Sequence, residues 1–321
     1  MDRFAVDANA AGSVKSTRGS MSRDELIGIV SLVGGVGCFS TVEVVSKIIG
    51  ARVDPLVLTF LRFFVTGVTL LILSIPLLRL RLERFTLRDY GIFCLNGLIG
   101  VALAISIFHT AILVLDKAAS AAVVFSVNPV FVILCARFIN NESWTARTWF
   151  ATVFGVCGVL CFAFESGDFT AGSVAGLALM ILSALCFALS VCISRRVVGR
   201  YGAMVLMGYS ALFGSFMLLP VALLRLTPQG IQGLADTWVF VTYLSLVGTA
   251  LAYVLYYFGL LNTSAQKGGL AFFLKPVLAS ILAVLILKES LNWYMIVGTA
   301  LILSGLVLVL AAPRRWLRPG A

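Results

Sequence analysis

Five ionisable side chains stand inside otherwise apolar stretches: Glu43, Lys47, Arg62, His109 and Lys275. Hydrocarbon penalises charge, so such groups face a cavity or one another. Glu43 lies seven residues before Gly50, Arg62 six after Leu56 and His109 five before Val114. On helices rising about 1.5 Å per residue, all three fall roughly 8–10 Å below the same ends of their stretches. Two chemistries fit that layer. A Glu43–Arg62 ion pair satisfies both charges and simply fixes helix packing, with His109 hydrogen-bonded beside it. Alternatively the three form a gate or coupling element, since a buried carboxylate with a raised pKa exchanges protons near neutral pH. Lys47, three residues from its helix end, snorkels outward, although at i+4 it competes with Arg62 for Glu43.

Lys275 lies in mid-stretch and is followed by Pro276, which removes one backbone hydrogen bond and frees the carbonyl of Phe272. Asn128-Pro129 repeats the arrangement, freeing the carbonyl of Phe125. Paired broken helices point to a central binding site lined by Lys275, Asn128 and Phe272, with Pro129 and Pro276 as the breaks. The alternative is a lysine satisfied by the freed carbonyls. Tyr253, Tyr256 and Tyr257 add apolar bodies with polar tips, suited to an amphipathic ligand or to plain helix packing. Ala118–Ala122 and Gly268-Gly269 permit close helix approach, as gates or as packing.

These residues must be positioned by helices. Ten apolar stretches of about 20 residues match a hydrocarbon core of roughly 30 Å: 26–50, 56–78, 90–114, 117–138, 145–164, 173–196, 202–224, 236–260, 264–287 and 292–312. A shift of 147 carries Asn128-Pro129, Glu142-Ser143 and Gly158 onto Lys275-Pro276, Glu289-Ser290 and Gly305. The same shift makes Tyr256 the repeat-mate of His109 and Tyr209 that of Arg62. Five crossings per copy force the second copy to enter from the opposite side. The expected fold is therefore an all-α integral membrane protein with ten transmembrane helices as two inverted five-helix repeats. The repeats occupy 26–164 and 173–312, flanked by a disordered tail at 1–25 and a second tail at 313–321.

Composition agrees. The chain is 60% hydrophobic and 12% charged, with a mean hydropathy of +1.06, whereas soluble domains are about a quarter charged. The net charge of +10 is topological. Seventeen Lys and Arg fall on the side of both termini and four (Arg52, Lys117, Arg225, Lys288) on the other. Both termini are thus expected in the cytoplasm, with no nucleic-acid partner. All seven cysteines lie inside the stretches as packing residues, and their spacing supports neither a metal site nor a cofactor.

The paired signatures Ser126-Val127-Asn128-Pro129 through Glu142 and Phe272-Phe273-Leu274-Lys275-Pro276 through Glu289, with Arg62 and the glycines of the fifth and tenth stretches, resemble the drug/metabolite transporter superfamily, specifically its EamA-type members. The resemblance covers residues 26–312. It implies a carrier, often an exporter, of small organic molecules in a bacterial inner membrane. In such a carrier Glu142 and Glu289 look like capping or topology residues. Three cationic side chains against one Glu favour a carboxylate-bearing or zwitterionic solute such as an amino acid. Proton-coupled efflux of drugs or toxins is the rival substrate class. From other classes come a channel or scramblase, a structural protein, and an intramembrane enzyme using His109 and Asp116. Against the enzyme stands the lack of any nucleophile motif or phosphate loop in the sequence. The partners expected are the solute and the lipid bilayer. Ala151, Gly155, Gly158, Gly298 and Gly305 can pack within one chain or support a homodimer.

Overall fold

A computed structural model describes residues 22–79, 85–114, 125, 128–165, 174–287 and 293–310, and its regular elements are helices. The expected tails up to residue 21 and from 311 onward, Ala118–Ala122, Asp116 and Glu289 lie outside the described residues. So do the side chains of Glu43, Lys47, His109 and Pro276.

In the first half, α1 (Arg23–Ile49) starts where the Ser22 hydroxyl accepts the Glu25 amide at 3.2 Å. It stops at Gly50, whose φ of 61° suits a residue without Cβ. α2 (Pro55–Arg79) follows. α3 (Leu87–Gly97) opens on a reciprocal Thr86–Asp89 capping box. α4 (Ala104–Val114), α5 (Asn128–Ile139) and α6 (Ala146–Glu165) follow among the described residues of this half. The second half contains α7 (Val174–Tyr201), α8 (Ala203–Arg225), α9 (Pro228–Asp236), α10 (Trp238–Ser245), α11 (Ala252–Asn262), α12 (Ala265–Ala271), α13 (Leu274–Leu287) and α14 (Trp293–Leu310). α9 occupies what the sequence presents as a short loop. Thr227 caps it and Pro228 fills its first position, where a missing N–H costs nothing.

Six helical stretches among the described residues are long and apolar enough to cross a bilayer: Arg23–Ser46, Pro55–Arg79, Leu87–Phe108, Ala178–Tyr201, Ala203–Arg225 and Trp238–Asn262. Helix pairing follows a rule. α2 packs on α8, α6 on α14, α1 on α11, α4 on α7, α1 on α13 and α5 on α7. Exchanging the two halves turns each of these pairs into itself or into another pair of the set. Intimate contact at α6 and α14 depends on small residues, since a Cβ on Gly158 would lie 2.7 Å from the Gly298 carbonyl oxygen. The glycines of these two helices are thus spent on packing inside the chain.

Two of the expected spans are not plain α-helices. α3 passes into α4 through a π-helical segment, Leu98–Leu103, and α10 into α11 through another, Leu246–Leu251. Their sequences, LIGVAL and LVGTAL, stand 148 apart rather than 147. This corrects the repeat register locally: His109 aligns with Tyr257, not with Tyr256. A π turn takes in one residue beyond the α-helical count while the apolar run continues, so hydropathy does not register it.

Candidate functional site

A chain of aromatic rings crosses the interior and draws on both halves. Phe39 of α1 lies 4.9 Å from Tyr253 of α11, centroid to centroid, and stacks on Phe272 at 5.7 Å. Tyr256 meets the Phe272 ring edge-on at 5.1 Å. From Phe272 the chain continues through Phe187 of α7 at 5.4 Å, Phe125 at 5.8 Å and Phe108 of α4 at 4.9 Å. At its other end Tyr253 reaches Phe63 of α2 at 6.2 Å. Tyr256 is fully buried, and Tyr253 and Phe272 are nearly so.

Arg62 precedes Phe63 and is itself buried. Its Nε and Nη2 donate to Thr249 Oγ1 at 3.3 and 3.1 Å. Thr249 belongs to the second π segment, and its hydroxyl donates in turn to the Leu244 carbonyl, five residues back, at 2.7 Å. One turn along α2, Thr66 donates to the Ser245 carbonyl at 2.8 Å. The π segment therefore does two things. It brings a hydroxyl to the guanidinium, and it leaves carbonyls that side chains of α2 and the segment itself complete.

The helix break at Pro276 is present. α12 ends at Ala271, Phe272 and Phe273 form a turn, and α13 starts at Leu274. The Phe272 carbonyl released by the proline accepts the Lys275 amide at 3.0 Å. The Lys275 carbonyl accepts the Ser40 hydroxyl of α1 at 3.4 Å. Lys275 thus sits half-buried just past the turn that places the Phe272 ring in the aromatic chain. Asn128, in the first turn of α5 beside Pro129, donates from Nδ2 to the Ala184 carbonyl of α7 at 2.7 Å. Its Oδ1 and the hydroxyl of Tyr256 are buried and have no hydrogen-bond partner among the described residues.

Tyr257 points elsewhere. Its hydroxyl joins Asn96, Ser190 and Ser194. Asn96 Nδ2 donates to Ser210 Oγ at 3.1 Å, and Asn96 Oδ1 accepts from Ser190 at 2.9 Å and Ser194 at 3.3 Å. This buried cluster ties α3, α7, α8 and α11 together next to the first π segment. Of the sequence candidates, the structure brings Tyr253, Tyr256 and Phe272 together, sets Arg62 at one end of their ring chain, and sends the Tyr257 hydroxyl into a separate polar cluster. Thr249, Thr66 and Asn96 escape a reading based on ionisable groups. The available signal was Asn96, an amide inside an apolar run with serines four residues apart on α7 to meet it.

Residues 26–164 and 174–311 each match the model of the EamA-like transporter family. An uncharacterized transporter of Clostridium kluyveri is 26% identical over 277 residues, spanning 84% of this chain and 88% of its own. The uncharacterized transporter YetK of Bacillus subtilis is 25% identical over 309 residues, covering 95% of this chain and 93% of its own. The uncharacterized inner membrane transporter YicL of Salmonella typhimurium is 30% identical over 120 residues, 37% of this chain and 39% of its own. A crystal structure 20% identical in sequence superimposes with a TM-score of 0.74 over 92% of this chain and 99% of its own, a likeness of fold. With apolar membrane-length helices and the family signature in both halves, the chain is an integral membrane transporter and belongs to the EamA-like transporter family, within the drug/metabolite transporter superfamily.

Proposed function

We propose that this protein is a secondary transporter, working as an exporter, for small amphipathic metabolites that carry a carboxylate, amino acids foremost. The observation that carries this reading is the buried Arg62 guanidinium at the end of an aromatic chain built from both halves. A cation there attracts a carboxylate, and the rings of Tyr253, Tyr256 and Phe272 offer faces to an apolar side chain. Lys275, at the break before Pro276, and Asn128, its repeat-mate beside Pro129, are the second and third polar contacts. Asn128 Oδ1 and the Tyr256 hydroxyl supply an acceptor and a donor for a zwitterion's remaining groups. Glu43 and His109 are the coupling or gating groups.

Access alternates between the two sides as the two inverted five-helix repeats rock about this layer. The symmetric pairing of helices supports that motion. The distribution of Lys and Arg supports cytoplasmic termini, ten crossings and residence in a bacterial inner membrane. The likeness to an inner membrane transporter agrees with that location. The solute and the bilayer are its partners, and no nucleic acid or cofactor takes part. The test is uptake by proteoliposomes from a mixed pool of amino acids and small metabolites, read by mass spectrometry. A carboxylate-bearing solute should accumulate with the parent protein and fail to do so with Lys275→Ala. Accumulation of lipophilic cations alone would sink the carboxylate reading in favour of drug efflux.

A further inference from the structure

At the end of the bundle that carries residues 139–148, 192–196 and 263–267, hydrogen bonds cross from one half of the chain to the other. Glu142, in the loop after α5, accepts the Ala265 amide at 2.7 Å and the Gln266 amide at 2.9 Å, one on each carboxylate oxygen. Gln266 Nε2 donates to the Ser143 carbonyl at 3.1 Å, and its Oε1 accepts from Thr148 Oγ1 of α6 at 3.3 Å. Arg196 donates to the Ile139 carbonyl and Asn140 to the Cys192 carbonyl, both at 3.0 Å. Lys267 pairs with Glu25 of α1. This end is closed by bonds between halves.

Glu142 differs from the other members in what it holds. α12, only seven residues long, runs from Ala265 inward to the break at Phe272. Its inner end thus carries a ring of the aromatic chain, and its middle packs on Tyr256, whose hydroxyl lies 3.0 Å from where a Cβ on Gly268 would stand. α12 does not need Glu142 in order to form, because Ser264 caps it locally by accepting the Lys267 amide at 3.1 Å. The carboxylate serves the placement of the helix against the other half. We propose that Glu142 is the latch of this end of the transport path: its two bonds hold α12 and Phe272 in the closed position, and the path opens here when they release. On release, water at the end of the bundle takes over the Ala265 and Gln266 amides, so the open state strands no donor. Burial raises the Glu142 carboxyl above its ordinary value, and the two amides and Arg195 hold it down only in part. The latch is therefore poised rather than locked.

The proposal rests on the alternating-access reading, and its test uses a thiol so that the two can fail separately. Cys192 is fully buried beneath the latch, with Sγ 3.7 Å from the Val132 carbonyl and its own carbonyl held by Asn140. In full-length protein with the other six cysteines replaced by serine, maleimide labelling of Cys192 reports opening. Glu142→Ala should speed labelling about tenfold, the effect of roughly one hydrogen bond to a charged group. Ala265→Pro should act in the same direction. It deletes one latch donor at the first helical position, where proline is tolerated, and Ser264 before it is already extended. A separate variant carrying Ala111→Cys, at a fully buried position of α4, should label slowly with or without Glu142→Ala. Unchanged Cys192 labelling in both latch variants overturns the proposal, as does equal acceleration at position 111, which marks general loosening. Loss of solute flux with accelerated Cys192 labelling would keep the latch and count against only the substrate assignment.

Discussion

A guanidinium in hydrocarbon needs partners that move with it, and Arg62 has one in Thr249 on a helix of the opposite half. Thr249→Val keeps the branched shape and removes the acceptor. The expected result is a fall in solute affinity of about tenfold, because a bond to a charged group is worth about 1.5–3 kcal/mol. Arg62→Lys should not restore it, since an ammonium cannot repeat the two-atom approach to one hydroxyl. Concentration-dependent exchange in proteoliposomes measures both. Glu142 supplies a pH dependence. Its carboxyl is raised in the closed state and returns to the ordinary carboxylate value once solvated, so the closed state binds the proton more tightly. Falling pH through the raised value therefore favours closure, and rising pH favours release. The charges around it are Arg195 and Arg196 on α7 and the Lys267–Glu25 pair of α12 and α1, with the Cys192 thiol below. Glu142→Gln is neutral at every pH. The ratio of Cys192 labelling in parent protein to that in Glu142→Gln should therefore rise above one as the pH climbs through the raised value and approach one below it. A ratio flat in pH would remove Glu142 as the titrating group.

At the level of helices, the π segments separate what the sequence displays from what it conceals. Apolar runs of membrane length, the proline breaks and the twofold repetition are plain in the chain because they are patterns in composition and spacing. A π turn alters one hydrogen-bond register inside a run that stays apolar, and because each half carries one of the same length it leaves no slip of one copy against the other. The partner of Glu142 is equally hidden: its donors lie 123 and 124 residues away, and local capping rules do not reach across halves. The ionisable residues pointed to Arg62 and to the tyrosines, but the apolar runs gave no warning of Thr249 or the Asn96 cluster. Their importance lies in which helix they face. Close approach at the first π segment is testable. A Cβ on Gly97 would lie 2.3 Å from the Ser210 carbonyl oxygen, backbone that cannot step aside, whereas a Cβ on Gly91 of the same helix meets nothing within 4 Å. Gly97→Ala should lower the thermal midpoint in detergent by an overpacking cost of about 1–3 kcal/mol. Gly91→Ala should hold or raise it, by up to about 1 kcal/mol.

Across the whole molecule, the helix pairs map onto one another when the halves are exchanged, yet the chemistry does not. Thr249 stands where the first half has Val101, Tyr257 where it has His109, and Lys275 where it has Asn128. A symmetric scaffold with an asymmetric lining can rock between two related arrangements while binding one solute in one orientation. The end described here is closed by the Glu142 set, so the account requires a second arrangement in which it is parted. The most direct measurement is the distance distribution between spin labels at Asn141→Cys and Gly199→Cys, exposed positions on opposite halves at this end, in lipid nanodiscs. Two populations are predicted, a shorter one matching the closed end and a longer one. Their ratio should shift on adding the transported solute and move toward the longer distance in Glu142→Ala. A single short distance, unmoved by solute and by Glu142→Ala alike, would contradict alternating access at this end of the protein.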